Sequence, residues 1–137
     1  MEERIRARGH QNVTANHEST FELTTDDWLT PAGDCILGVE ADKAPRDFSP
    51  AFVAACRDET ATIVAEVTVG RRTATITGRG HPALTFENPR SSVGRTSDYV
   101  DDRTVMVEAD AAAADLDRGL VSALASGSTL SMVLRVE

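Results

Sequence analysis

Lysine is almost missing from this chain: of its 14 basic side chains one, Lys43, is lysine and the others are arginine. Aromatic residues make up only 4%. The two cysteines, Cys35 and Cys56, form neither a disulfide framework nor a zinc set, which fits a reducing compartment. Long apolar runs are lacking too. Nothing approaches the ~20 residues of a membrane span, and Met1-Glu2-Glu3-Arg4 does not open a secretory leader, so a cytoplasmic location is expected. Basic charge is also short, 14 against 22 acidic residues, for a net charge of −8. Such an excess of acid disfavours a general binder of nucleic-acid backbones.

What remains is a globular composition, 41% hydrophobic and 26% charged over 137 residues. A chain of this size buries roughly two-thirds of its unfolded surface and is expected to form a single domain over 1–137. Acidic side chains with arginine in place of lysine suit a protein working in molar salt. There the Debye length is about 3 Å, so partners are recognised at contact range.

The chain repeats itself. Arg8-Gly9-His10 with Thr14 recurs as Arg79-Gly80-His81 with Thr85, and Ile5 and Asp27-Trp28-Leu29 match Ile76 and Asp98-Tyr99-Val100. Three extra residues within Thr30-Pro31-Ala32-Gly33 then shift the offset. Val39-Glu40-Ala41-Asp42 matches Val107-Glu108-Ala109-Asp110, and Val53, Thr62 and Val69 match Val121, Thr129 and Val136. The spacing indicates a tandem duplication, residues 5–69 and 76–136.

Each copy reads alike. Cys35–Ala41 and Thr104–Ala109 are β-rich runs of strand length, with Asp42 or Asp110 placed to cap a helical turn after them. Ser49-Pro50 is an N-cap followed by an N1 proline, and Asp117 is its counterpart. The stripes Phe48, Phe52, Val53, Cys56 and Leu116, Leu120, Val121, Leu124 mark amphipathic helices. Strands follow at Ala61–Val69 and Thr129–Val136, and Gly70-Arg71 turns the first into Thr73–Thr77. By the same logic the N-terminal segment Arg4–Arg8 pairs with the C-terminal strand. The expected fold is α+β, mostly antiparallel, with one main helix per copy, a pseudo-two-fold axis and adjacent termini.

Four features carry candidate chemistry. In Arg-Gly-His the histidines His10 and His81 suit acid–base, anion-donor or ligand roles, or else serve a bend after a strand. His17, seven residues from His10, falls on the opposite strand face, which argues against a shared metal. Cys35 follows Gly33-Asp34 and suits a nucleophile with a histidine as base, or else a strand thiol; Cys56 lies on the buried stripe. At the Glu40–Lys43 turn, Asp34, Asp42, Lys43 and His10 form a candidate anion site, in which Lys43 is matched only by Ala111. Arg71, Arg72, Arg79, Arg90, Arg95 and Arg103, with Trp28 and Tyr99, would serve an RNA face, or else pair with surface carboxylates while the two aromatics plug the turns.

The runs GDCILGVEADKAP, GRGHPALTFENP and SDYVDDRTVMVEADAAAADLDRGLV resemble the archaeal domain-of-unknown-function family numbered 371, in a haloarchaeal version. The resemblance spans nearly the whole chain. It implies an archaeal origin and a compact α+β domain, and it brings no activity, cofactor or catalytic residue. The residues themselves point to a binding module for a small anionic metabolite or nucleotide. The alternatives are a hydrolase or transferase using His10 or His81 with Cys35, and an RNA-associated protein. Neither an enzymatic role nor an oligomeric state is fixed by the sequence.

Overall fold

The computed structural model describes residues Met1–Glu137. Its elements run in the order β1 (Glu2–Arg8), β2 (Thr20–Thr24), β3 (Ile36–Gly38), α1 (Pro50–Cys56), β4 (Thr62–Val69), β5 (Arg72–Arg79), β6 (Ser91–Arg95), β7 (Thr104–Met106), α2 (Arg118–Ala125) and β8 (Thr129–Val136). A 3-10 turn precedes each helix, at Pro45–Asp47 and Ala113–Asp115. The fold is mixed α+β, mostly strand, and the sequence of elements up to β4 recurs from β5 to β8.

Period-two alternation builds the first sheet, ordered β1-β8-β4-β5 and antiparallel throughout. In β1, Glu3, Ile5 and Ala7 point inward while Glu2, Arg4, Arg6 and Arg8 point out. The first and last strands pair along their length, from Glu2 opposite Arg135 to Arg8 opposite Thr129. Ile63, Ala65 and Val67 of β4 and Leu130, Met132 and Leu134 of β8 give the middle of the sheet its buried face.

The second sheet is ordered β3-β2-β6-β7, with an antiparallel central pair and a parallel strand on each side. β3 and β7 are shorter than their apolar runs suggest, because the chain leaves the sheet after three residues to reach the other one. Val39 bridges Arg8 on the free edge of β1, and Val107 bridges Arg79 on that of β5. The two sheets thus join at both ends, which shortens the exposed edges of β1 and β5. Just beyond each bridge the backbone turns through a left-handed residue, Glu40 (φ 55°) or Glu108 (φ 50°), at a cost of order 1 kcal/mol. These turns return Ala41 N–H to the Thr24 carbonyl and Ala109 N–H to the Arg95 carbonyl.

One cluster of 32 buried residues fills the interior. Ser49 caps α1 by accepting the Phe52 N–H at 3.2 Å, with Pro50 at the first helical position, and Asp117 caps α2 through the Leu120 N–H at 3.0 Å. Phe48, Phe52 and Phe86 pack together with ring centroids 5.6–6.3 Å apart.

Asp42 and Asp110 do not cap the 3-10 turns. Asp47 and Asp115 do so, accepting the N–H groups of Ala44 and Ala112 at 2.9 Å. Asp42 and Asp110 instead accept the N–H groups of Arg6 and Thr77, at 2.9 and 3.0 Å, extending the bridges along the outer strands.

Candidate functional site

The two Arg-Gly-His elements are built identically. His10 Nδ1 accepts the Asn12 N–H at 3.0 Å while its carbonyl accepts the Val13 N–H; His81 does the same with Ala83, at 3.0 Å, and Leu84. In both, the ring nitrogen and the carbonyl of the same histidine together hold the turn. The glycines before them explain the motif. A Cβ at Gly9 would lie 2.0 Å from the Leu124 carbonyl oxygen and one at Gly80 would lie 2.2 Å from that of Cys56, so each glycine lets the chain pass against the end of a helix in the other half. His17 lies in a loop rather than on a strand, and its Nδ1 accepts the N–H groups of Ser19 and Thr20 at 3.2 and 3.1 Å. Asn88, its match in the second half, accepts those of Arg90 and Ser91 at 2.9 and 2.7 Å.

The residues of the expected turn site are engaged within the protein. Lys43 Nζ sits 2.8 Å from Glu3 Oε1, while Glu3 Oε2 accepts the Ser49 N–H at 2.8 Å. Burial alone would raise the Glu3 carboxyl, but Lys43 and Ser49 outweigh it and hold it below the usual carboxylate range. Asp42 clamps the edge of β1. The Asp34 carbonyl takes the N–H groups of Asn16 and His17. Of these residues, Asp42 and Lys43 are chain neighbours, whereas His10 is hydrogen-bonded within its own turn.

Cys35 donates to Glu22 Oε1 at 3.5 Å, and no histidine is its partner. Burial, reinforced by the Glu22 charge, pushes its thiol up to about 11, so the thiolate is scarce at neutral pH. Cys56 is fully buried at the end of α1, and burial pushes it to about 12. No three metal-ligating side chains converge.

Most of the arginines singled out as an RNA face are paired. Arg72 meets Asp117 at 3.0 Å, Arg79 meets Glu108 at 3.6 Å, and Arg95 and Arg103 share Asp101, both at 2.9 Å. Trp28 and Tyr99 are not plugs. Both are 59% exposed, and the antiparallel pairing of β2 with β6 sends their loops to opposite ends of the sheet. Arg95 lies 4.9 Å over the Tyr99 ring.

The arginines that sequence reasoning passed over lie on β1. Arg4, Arg6 and Arg8 alternate along one strand, which places them on one exposed face at intervals of about 7 Å. Arg8 pairs with Glu40. Arg4 reaches only Ser131 Oγ, at 3.5 Å, and the Arg6 guanidinium has no carboxylate or hydrogen-bond partner. Both line a concavity of about 350 Å³ on the outer face of the first sheet, with Thr68, Thr129 and Ser131 supplying hydroxyls and no acidic residue in the lining. The signal that could have found it is the R-x-R-x-R alternation at 4, 6 and 8.

The model of the family described as "Domain of unknown function (DUF371)" matches residues 5–137. Among curated proteins, an uncharacterised protein of Methanocaldococcus jannaschii is 42% identical over 130 residues, covering 95% of this chain and 96% of that protein. No helix is long and apolar enough to cross a membrane.

Proposed function

The chain belongs to this family of unknown function, and from its geometry we propose that it is a binding module for a small anionic metabolite, held by Arg4 and Arg6 on the outer face of the first sheet. The carrying observation is the unpartnered Arg6 guanidinium in a concavity that holds hydroxyls but no carboxylate. On a protein of net charge −8, an anion meets attraction only where arginines are free of acids. A guanidinium fork suits the oxygens of phosphate or carboxylate. The turn carrying Asp34, Asp42, Lys43 and His10 suits an anion less well, since the Lys43 charge is already matched by Glu3.

A hydrolase or transferase built on His10 or His81 and Cys35 finds less support. Both Nδ1 atoms hold backbone turns, and the thiol sits against a carboxylate that disfavours its ionisation. We also propose that the two halves arose by duplication about a pseudo-two-fold axis. Three facts support this: each sheet order reads the same from either end once matched strands are exchanged, the left-handed residues Ala15, Glu40, Phe86 and Glu108 fall at matched positions, and the His17 and Asn88 turns agree.

Isothermal titration with inorganic phosphate at fixed ionic strength tests the site. Arg6→Ala is expected to weaken binding about tenfold or more, as for loss of a charged hydrogen bond. Binding that survives Arg6→Ala but fails in Lys43→Ala would move the site back to the turn.

A further inference from the structure

The Arg4–Arg6 concavity does not end at Arg6. A second one, of about 320 Å³, adjoins it and shares Arg6, Ala7 and Thr129, but its far side carries Glu40 and Asp42. Arg8 lines that far side too and is paired with Glu40, so the unmatched positive charge of the Arg4 end gives way to balanced charge along the trough. The first end offers two guanidiniums with no acid, and the second offers carboxylate oxygens that accept hydrogen bonds. Asp42 uses Oδ1 on the Arg6 N–H, and Glu40 is half-exposed beside Arg8.

Resting on the anion-binding reading above, we infer that the ligand is a phosphorylated polyol or sugar, with its phosphate on Arg4 and Arg6 and its hydroxyls donating toward Glu40 and Asp42. A phosphate finds unmatched guanidinium charge only at the Arg4–Arg6 end, since Arg8 at the other end is already paired with Glu40, so the orientation follows from charge. Hydroxyl donors satisfy both the carboxylates and the Thr68, Thr129 and Ser131 side chains. A nucleobase finds no stacking surface, because Ala7 and Leu130 are the only apolar residues lining the trough.

The second half supplies an internal comparison. Its concavity of about 210 Å³ is lined by Thr62, Thr77, Gly78, Arg79, Glu108 and Asp110, which match the lining of the Glu40 end residue for residue. Thr75 and Thr77 stand there where β1 has Arg4 and Arg6. It therefore keeps the carboxylate end and lacks the phosphate end, and the chain should hold one ligand.

Titration calorimetry at fixed ionic strength with inorganic phosphate, ribose, ribose phosphate and adenosine monophosphate tests this. Ribose phosphate is expected to bind once per chain, about tenfold tighter than inorganic phosphate, the gain of one to two good hydrogen bonds. Ribose alone should not bind measurably, and adenosine monophosphate should bind no tighter than ribose phosphate. Glu40→Gln should shrink the ratio between ribose phosphate and inorganic phosphate towards one. Equal binding of the two phosphates in the native protein, tighter binding of the nucleotide, or two sites per chain overturns the sugar-phosphate inference and leaves the arginine site standing. Absence of all phosphate binding, or binding unaffected by Arg6→Ala, overturns the arginine site itself.

Discussion

Lys43 and Glu3 form an ion pair in the first half, and the positions matched to them in the second half are Ala111 and Ala74, both packed against the core. The single lysine of the chain is thus a partner for one nearly buried carboxylate, 8% exposed. The pair ties the start of β1, the strand that carries Arg4 and Arg6, to the segment leading into α1.

Breaking that pair from one side should be costly, and removing it whole should not. Lys43→Ala leaves Glu3 desolvated with only the Ser49 N–H and is expected to lose about 2 kcal/mol, less than a fully buried pair because Lys43 keeps some contact with water. The double variant Glu3→Ala/Lys43→Ala reproduces the alanine pair of the second half and should lie within about 1 kcal/mol of the native protein. Urea denaturation of the native protein, the single variants Lys43→Ala and Glu3→Ala and the double variant checks the cycle.

Acid should weaken the fold through two carboxylates. Asp101 accepts from Arg95, Arg103 and Thr104; burial opposes its ionisation, but the two arginines win and hold it at about 2. Glu3 is lowered for a similar reason. Because both are depressed in the folded state, their stabilisation is complete above the unfolded carboxylate range, near pH 4. It is lost as pH falls from there towards about 2 for Asp101. Asp101→Asn should lower stability at pH 7 by about 1 kcal/mol and flatten the slope below pH 4. Thermal melts from pH 7 to pH 2 measure both effects.

His17 should be replaceable by the residue that stands in its matched position. Asn88 provides the same acceptor to two backbone N–H groups, so His17→Asn is expected to change stability by less than about 0.5 kcal/mol. His17→Leu removes the acceptor and should cost about 1 kcal/mol. If the asparagine variant proves as damaging as the leucine variant, the ring has a role beyond this turn.

The glycines of Arg-Gly-His should resist even alanine. Gly9→Ala and Gly80→Ala place a methyl within 2.0 and 2.2 Å of carbonyl oxygens at helix ends, and each should cost about 3 kcal/mol or more. Gly70→Ala meets open space and pays only for its left-handed backbone, φ 60°, at about 1 kcal/mol. Chemical denaturation of the three variants should rank them in that order.

Strands that alternate, or that match one that does, were readable in advance. Ala61–Val69 shows one apolar face, Thr129–Val136 is its match in the repeat, Arg4–Arg8 follows as the match of Thr73–Thr77, and both helices announce themselves by a cap and a stripe. β2 and β6 were not readable. In β6, Ser91-Ser92-Val93-Gly94-Arg95 is a strand because Gly94 admits the Phe21 ring, a contact between residues far apart in the chain. The apolar runs at 35–41 and 104–109 announced strands but not their break into two partnerships, which depends on where the outer edges of β1 and β5 lie. The roles of Asp42, Lys43, His10 and Cys35 were open for the same reason. Each is decided by a partner, the Arg6 N–H, Glu3, the Asn12 N–H and Glu22 respectively.

Periodicity, capping and composition along the chain are enough to read the α+β class, the recurring order of elements, the helix positions and the excess of acid. Which charges are free depends on the folded arrangement. Lysine 43, conspicuous in the sequence, is neutralised by a carboxylate forty residues away, while Arg6, one arginine among many, is left without a partner on an open face. Coulomb energy depends on distance through space and on exposure to water, and neither can be read from position along the chain.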